Sequence, residues 1–164
     1  MNDLPSRKTN RLAGYDYSQP GAYFVTICAN QRKCVFSRIS VGDGFPVPYP
    51  AGQIAEDFTE QLSIKFPSVR VDRHVIMPNH IHLLLAFESV CGTGNPSPTL
   101  GEVIGWYKYK ITQAVNQQRK TPGERLFQRS YHDHVIRDEA DYLKIWNYID
   151  TNPAKWEEDC FYTQ

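Results

Sequence analysis

Two strand-like segments joined by a tight turn constrain the fold of this chain more than any other feature. Residues 69–77 and 80–87 are rich in β-branched and aliphatic side chains, and Pro78-Asn79 between them is a turn dipeptide. This arrangement predicts two strands that follow one another directly. The run of leucines in the second segment indicates a central strand of the sheet.

Two further segments have the composition of β-strands. Residues 21–30 combine β-branched and aromatic side chains, and residues 126–137 follow a Thr-Pro-Gly break. Loops are predicted at residues 40–50 and 88–98, where glycine, serine and proline accumulate.

Three segments have the signals of α-helices. Residues 53–64 carry an apolar helical stripe, and a second helix begins where Thr99 and Glu102 have capping-box spacing. A third begins after Asp138, a favourable N-cap, and is stopped by Pro153. The order strand, helix, strand, strand, helix, strand predicts an α+β protein with the ferredoxin-like βαββαβ fold. In this fold an antiparallel sheet carries its helices on one face, and here a C-terminal helix is appended.

Composition limits the class of protein. A chain of 164 residues with 41% hydrophobic side chains fits one domain over residues 1–164, and its first 20 residues are expected to form a basic N-terminal arm. No apolar run approaches the roughly 20 residues of a membrane span, so we expect a cytoplasmic location without membrane association. The four cysteines lack the spacing of zinc ligands and are expected to be reduced thiols.

Charge is unevenly distributed although it sums to zero. Residues 1–40 carry six basic against two acidic side chains, and residues 101–137 carry seven against three. Two basic segments in a neutral chain would form one phosphate-binding face if the fold brings them together. The alternative is an ordinary solvated surface, and charge alone does not decide between the two.

His80-Ile81-His82 is the sharpest local motif in the sequence. Alternate residues of a strand point to the same side of a sheet, so both imidazoles are expected to leave one face. Two imidazoles placed in this way can share a divalent cation, whereas a pair of surface histidines is the simpler alternative.

A second motif of the same spacing, His132-Asp133-His134, competes with the first. Its middle residue is charged, which predicts a solvated face. We therefore expect its histidines to contribute to a DNA-binding surface together with Arg129 and Arg137, rather than to bind the metal.

Helical geometry singles out Tyr148 among ten tyrosines as a candidate nucleophile. Lys144, Tyr148 and Asn152 recur at i, i+4 and i+8 on a polar row of the last helix. A tyrosine held beside an amide and an amine can present its hydroxyl to a substrate, although an ordinary surface tyrosine has the same pattern. The apolar stripe of this helix is separate and contains Tyr142, Ile145, Trp146 and Ile149.

Four segments of the chain together resemble the single-tyrosine HUH transposases, in particular the branch associated with repetitive extragenic palindromes (REPs). They are RLAGYDYSQPGAYFVTIC, HVIMPNHIHLLL, FQRSYHDHVIRD and YLKIWNYIDTNPAKW. HUH denotes histidine, hydrophobic residue, histidine, which His80-Ile81-His82 matches. The resemblance implies that the appended C-terminal helix carries the nucleophile at Tyr148 and that Asn152, one turn later, completes the metal site.

The resemblance also implies a reaction, which is cleavage and rejoining of single-stranded DNA that contains a hairpin. Tyr148 would attack phosphorus and form a 5′-phosphotyrosine, with Mg²⁺ or Mn²⁺ bound by His80, His82 and Asn152. A free tyrosine has a pKa of about 10, so its deprotonation needs assistance, for which Lys144 is a candidate. Monomer and homodimer both remain open.

Contacts to DNA are predicted only from charge and aromatic character. Two other functions stay open beside the transposase-like one. The first is a non-catalytic single-strand nucleic-acid binder with the same ferredoxin-like fold. The second is a metal-dependent phosphohydrolase that activates water in place of tyrosine. The predicted DNA-binding residues are Arg7, Lys8, Arg11, Tyr15, Lys108, Lys110, Arg129, His134 and Arg137.

Overall fold

A four-stranded antiparallel sheet forms the centre of the computed structural model, which describes residues 12–40, 44–89 and 96–163. In chain order, the strands are β1 (Gly21–Cys28), β2 (Ser37–Ile39), β3 (Pro46–Pro48), β4 (Val69–Ile76), β5 (His80–Phe87) and β6 (His132–Ile136). The central sheet has the order β4-β5-β1-β6, and all neighbouring strands are antiparallel. Among the strands of the central sheet, one helix lies between β1 and β4 and another lies between β5 and β6 in chain order. The predicted ferredoxin-like α+β fold is therefore confirmed.

The described ranges contain three α-helices, namely α1 (Pro50–Lys65), α2 (Leu100–Arg119) and α3 (Glu139–Thr151). The predicted capping box begins α2, where the Thr99 hydroxyl accepts a hydrogen bond from the Glu102 amide at 3.2 Å. Asp138 caps α3 by accepting from the Asp141 amide at 2.8 Å. In the part of the chain that the structure describes, no helix has the length and apolar character that crossing a bilayer requires.

The two faces of the sheet are covered differently. Along β5, Leu83 and Leu85 join the larger apolar core with α1 and α2, while Leu84 belongs to a second cluster with Ile149 of α3. Because side chains alternate along a strand, His80 and His82 share the face of Leu84. The fold therefore directs both imidazoles toward α3 and the C-terminal segment.

The sequence predicted one continuous strand over residues 126–137, and this prediction is wrong. Only His132–Ile136 pairs with β1, and Phe127 makes an isolated bridge with Ala29. The Phe127 ring stacks on Phe36 at 5.4 Å, and Leu126 is buried as well. These two apolar side chains thus reach the core without strand pairing, which explains why their β-like composition misled the prediction.

The predicted loop at residues 40–50 contains regular structure at its end. Strand β3 pairs with β2 in a separate two-stranded ribbon, and prolines are tolerated there because the ribbon leaves edge positions unpaired. Helix α1 begins at Pro50, earlier than its apolar stripe indicates. Proline is favourable at the first helical position because its missing amide hydrogen would have no partner there.

Candidate active site

The imidazoles of His80 and His82 project from the centre of the sheet toward α3. In the strand register, His82 lies opposite Thr26 of β1 and Val75 of β4. His80 and His82 are 0% and 1% exposed, and their Nε2 atoms lie 3.0 Å apart. Two ligands at about 2.1 Å from one cation and at a right angle to each other would be about 3.0 Å apart, so this spacing suits a shared metal.

Each imidazole is held from behind through its other nitrogen. His80 Nδ1 lies 2.8 Å from Asn79 Oδ1, and His82 Nδ1 lies 2.9 Å from Thr26 Oγ1. The Asn79 amide nitrogen donates to the Phe161 carbonyl at 2.7 Å, so its oxygen is the atom that faces His80. His80 therefore donates from Nδ1 and keeps the lone pair on Nε2. Metal-binding histidines are typically oriented in this way.

Asp159, which follows α3, brings a buried carboxylate to the imidazoles. Its Oδ2 lies 3.9 Å from His80 Nε2, and its side chain is only 1% exposed. Ligand atoms of His80, His82 and Asp159, hereafter the metal cluster, all lie within 4.8 Å of one another. Across the described ranges, no lysine or arginine nitrogen lies within 4 Å of this carboxylate. A buried negative charge without such a partner favours a bound cation.

Burial keeps both imidazoles neutral. Desolvation lowers the pKa of His80 to about 4, although the Asp159 carboxylate acts in the opposite direction and raises it. The pKa of His82 is lowered well below its usual value by burial and then by His80. Neutral imidazoles offer free lone pairs at physiological pH, so the chemistry of the metal cluster fits a divalent cation.

Asn152 supplies an amide oxygen as a fourth candidate ligand beside the three groups of the metal cluster. Its amide nitrogen donates to Asp159 Oδ2 at 2.7 Å, whereas its Oδ1 is buried and, among the residues described, has no hydrogen-bond partner. Native proteins rarely leave a buried carbonyl oxygen unsatisfied. This oxygen therefore has lone pairs available to a cation, and the role of Asn152 as a metal ligand stays a prediction.

Tyr148 lies on the partly exposed side of the metal cluster. Its ring centre is 5.3 Å from that of His82, and 37% of the residue is exposed. Burial, and after it the Asp159 carboxylate, raise the pKa of Tyr148 to about 12, although a hydrogen bond with Asn152 acts in the opposite direction. The phenol is therefore protonated at neutral pH, and its hydroxyl lies among the polar groups of the site.

The C-terminal segment covers the imidazoles on another side. The Phe161 ring centre is 4.8 Å from that of His80 and 6.4 Å from that of His82. Asn79 fastens this segment through the carbonyl of Phe161 and through the Thr163 hydroxyl at 3.2 Å. The Phe161 ring therefore lies against both imidazoles, on a side different from Tyr148.

Three of the predicted DNA-binding residues lie away from this site. Lys108 donates to a backbone carbonyl at 2.7 Å, and Lys110 lies 5.8 Å from the ring centre of Phe58. Both belong to α2, the helix that packs on the opposite face of the sheet. Tyr15 packs beside Tyr23 with ring centres 6.3 Å apart, also on that face. These three side chains contribute to packing or hold loops, and the structure does not bring them to the imidazoles.

The other predicted residues that the structure describes lie on β6, beside it or on α3. Arg129 and Arg137 are exposed before and after this strand. His134 Nε2 lies 2.8 Å from the Asp141 carboxylate. Lys144 also acts on Asp141, whose pKa it helps to lower, while the groups that act most on Tyr148 come from the C-terminal segment and Asn152. Arg7, Lys8 and Arg11 lie outside the described residues.

Sequence reasoning missed several residues of the site. Asp159 and Phe161 lie in a segment without periodicity, and only the chain reversal after α3 brings them to the imidazoles. Thr26 could be found only from the register between β1 and β5. Asn79 directly precedes the motif, but the sequence indicates only a turn for it.

Comparison with known proteins supports the fold. No protein-family model matches the chain. An uncharacterized protein of Haemophilus influenzae is 33% identical over an alignment of 171 residues that covers 95% of this chain and 93% of the relative. The solved structure of a REP-associated tyrosine transposase bound to a REP hairpin matches with a TM-score of 0.63 and 18% identity, covering 88% of this chain and 73% of that one. The likeness to these transposases seen in the sequence is confirmed at the level of the fold.

Proposed function

We propose that this chain, which belongs to one family with the Haemophilus influenzae protein, is a metal-dependent single-strand DNA endonuclease and strand transferase. The proposal proceeds from its fold, which is that of a REP-associated tyrosine transposase. One observation carries the proposal. The ring centre of Tyr148 lies 5.3 Å from that of the buried His82. Ligand atoms of His82, His80 and Asp159 lie within 4.8 Å of one another. A nucleophile and a set of metal ligands thus share one small site.

In this proposal, the divalent cation is bound by the metal cluster and by Asn152 Oδ1. Mg²⁺ and Mn²⁺ both accept oxygen ligands, and the two imidazoles make the set softer than magnesium prefers, so we expect Mn²⁺ to work better. Such a cation supplies Lewis-acid stabilisation of the charge on the phosphate oxygens. Thr26 and Asn79 orient His82 and His80 through Nδ1, so that both Nε2 lone pairs converge.

Tyr148 is the nucleophile in the proposed reaction. Its phenolic oxygen attacks phosphorus, the bond between phosphorus and the 3′ oxygen breaks, and a 5′-phosphotyrosine forms together with a free 3′-hydroxyl. The phenolic proton leaves to solvent, and the departing 3′ oxygen takes up one proton in return. Because the phosphoester energy is kept in the covalent link, attack by another 3′-hydroxyl rejoins strands without a nucleotide cofactor.

The proposed substrate is single-stranded DNA that contains a hairpin. The solved structure that shares this fold is bound to a REP hairpin, which is the reason for choosing this class of substrate. Exposed arginines at both ends of β6, Arg129 and Arg137, are suited to phosphate contacts around a folded strand.

A denaturing gel tests the proposal. We expect incubation with a labelled hairpin oligonucleotide and Mn²⁺ to give a covalent protein–DNA adduct, and Tyr148→Phe to abolish it. Tyr142→Phe is the matched control on the same helix, because the Tyr142 hydroxyl donates to Asp72 at 2.8 Å and lies outside the metal cluster. This variant should form the adduct at a rate within about threefold of wild type.

Two other results would contradict the proposal in different ways. Tight binding of the hairpin without any adduct would indicate a non-catalytic nucleic-acid binder. Cleavage that survives Tyr148→Phe would indicate a phosphohydrolase that activates water.

A further inference from the structure

Arg32 lies close to the metal cluster, although no motif in the sequence points to it. Its guanidinium carbon is 5.5 Å from the centre of the Phe161 ring, which is 4.8 Å from the His80 ring. Tyr148 approaches the other imidazole, His82, at 5.3 Å. Arg32 thus contacts the aromatic ring that packs on His80, and Tyr148 packs on His82.

The backbone holds Arg32 in an uncommon conformation. Gln31 and Arg32 have φ angles of 56° and 54°, in the left-handed region that residues with a Cβ seldom adopt. The Arg32 carbonyl accepts hydrogen bonds from Asn79 Nδ2 at 3.3 Å and from the Thr163 hydroxyl at 3.4 Å. Asn79 also contacts the His80 ring, so one side chain fixes both the arginine backbone and the imidazole. Backbone strain of this kind concentrates at functional sites.

The guanidinium of Arg32 is available to an anion. Within the described ranges no carboxylate oxygen lies within 4 Å of it, whereas Arg70 and Arg73 pair with Asp72 and Asp150. The contact with Phe161, in which the guanidinium carbon lies 5.5 Å from the ring centre, needs no hydrogen bond from the guanidinium N–H groups. Those groups donate two parallel hydrogen bonds to phosphate oxygens in many proteins.

We propose that Arg32 binds the non-bridging oxygens of the scissile phosphate while Tyr148 attacks phosphorus. The inference rests on the proposed function, because it concerns the same reaction. A fixed cation beside the histidine pair stabilises the negative charge on the phosphoryl oxygens in the transition state. Arg32 moves no proton in this role.

Single-turnover formation of the covalent adduct tests this role. With saturating protein, a hairpin oligonucleotide and Mn²⁺, we expect Arg32→Ala to lower the rate about 100-fold. Arg32→Lys should lower it about tenfold, because lysine keeps the charge but loses the paired donors. Lys33→Ala is the matched control, as it removes the same charge from the next exposed residue, and its rate should change less than about twofold. Hairpin affinity measured in EDTA should stay within about threefold for all variants.

A methylphosphonate at the mapped cleavage position tests the contact itself. This substrate replaces one non-bridging oxygen with a neutral methyl group. For one of its two stereoisomers the penalty of Arg32→Ala should shrink to about threefold or less, because the contact is already lost. A penalty near 100-fold with both isomers would overturn the proposed contact.

The controls separate this inference from the function on which it depends. Absence of an adduct with the wild-type protein would overturn both. An adduct that forms equally fast with wild type and with Arg32→Ala would overturn only the role of Arg32. Equal losses of rate and of hairpin affinity would also overturn it, since they indicate general DNA binding. Thermal unfolding checks that the variants fold, and Arg32→Lys carries the test if Arg32→Ala does not.

Discussion

Two histidine motifs of identical spacing lie on the same face of the same sheet and differ in almost every physical property. His80 and His82 begin β5, which has a neighbouring strand on each side, and both are inaccessible to solvent. His132 and His134 lie on the edge strand β6 and are exposed. The register of both strands against β1 places His82 and His132 opposite the same residue, Thr26.

This comparison shows that spacing sets the direction of the rings but not their chemistry. In the buried pair, desolvation lowers both pKa values and the Nε2 atoms converge beside Asp159. In the exposed pair, His134 contacts the carboxylate of Asp141 at the start of α3, and no third ligand joins it in the clusters found among the described residues. The position of a strand within the sheet therefore decides which motif is suited to a metal.

The largest difference between the motifs should appear in catalysis. We expect His82→Ala to lower the single-turnover rate of adduct formation about 1000-fold, because it removes a proposed metal ligand. Hairpin affinity should change less than about threefold, since phosphate contacts supply most of the binding energy. His134→Ala is the matched variant and should change the rate less than about threefold. Equal losses for the two variants would show that the buried pair has no special role.

The second difference should appear in the pH dependence of stability without metal. In the unfolded chain His80 binds a proton near pH 6.5, but in the folded protein its pKa is about 4. The unfolded state therefore binds more protons between these values, so the free energy of unfolding falls as the pH falls. The contribution of His80 is present above pH 6.5 and is lost toward pH 4, and it amounts to roughly 3 kcal/mol.

Urea unfolding in EDTA at pH 7 and pH 5 measures this effect. The loss of stability between the two values should shrink in His80→Asn, which has no imidazole to protonate. His134→Asn is the matched variant and should keep the wild-type loss, because this ring does not belong to the buried pair. If wild type and His80→Asn lose the same free energy, then His80 is not the buried neutral imidazole that the structure describes.

The fold was predictable because local patterns agree with the tertiary arrangement. The turn at Pro78-Asn79 and the apolar run that follows it give β4 and β5 their correct order and nearly their correct bounds. The apolar composition of residues 126–131 wrongly predicted a strand, because Leu126 and Phe127 are buried but belong to a loop. Burial alone does not determine backbone pairing, so the beginning of β6 could not be read from composition.

The site was predictable only in part. Strand alternation is a local property, so the common direction of His80 and His82 follows from the sequence. Asp159 depends on the path of the chain after Pro153, which no periodic pattern encodes. The same limit applies to Lys108, whose ammonium group donates to two backbone carbonyls that its charge did not indicate, while its contact with DNA stays a prediction. Contacts between segments that are distant in the sequence depend on the tertiary structure, and charge and spacing alone do not predict them.

The smallest expected effect concerns the middle residues of the two motifs, Ile81 and Asp133. The sequence predicted a solvated face for Asp133, which is wrong, because the side chain is half-buried opposite Val25 on the face of α1 and α2. Its Oδ1 is buried and has no hydrogen-bond partner within the described part of the chain. A buried oxygen in this state costs free energy that an apolar side chain of similar size avoids.

Asp133→Val would give the second motif the same pattern as the first, a hydrophobic residue between two histidines. We expect the variant to be more stable by about 1 kcal/mol, which raises the midpoint of thermal unfolding by roughly 2–4 °C. Calorimetric titration should still find one Mn²⁺ per chain, because His132 and His134 remain exposed and gain no third ligand. A second equivalent of tightly bound Mn²⁺ would show that the motif itself, and not the position of its strand in the sheet, determines where the metal binds.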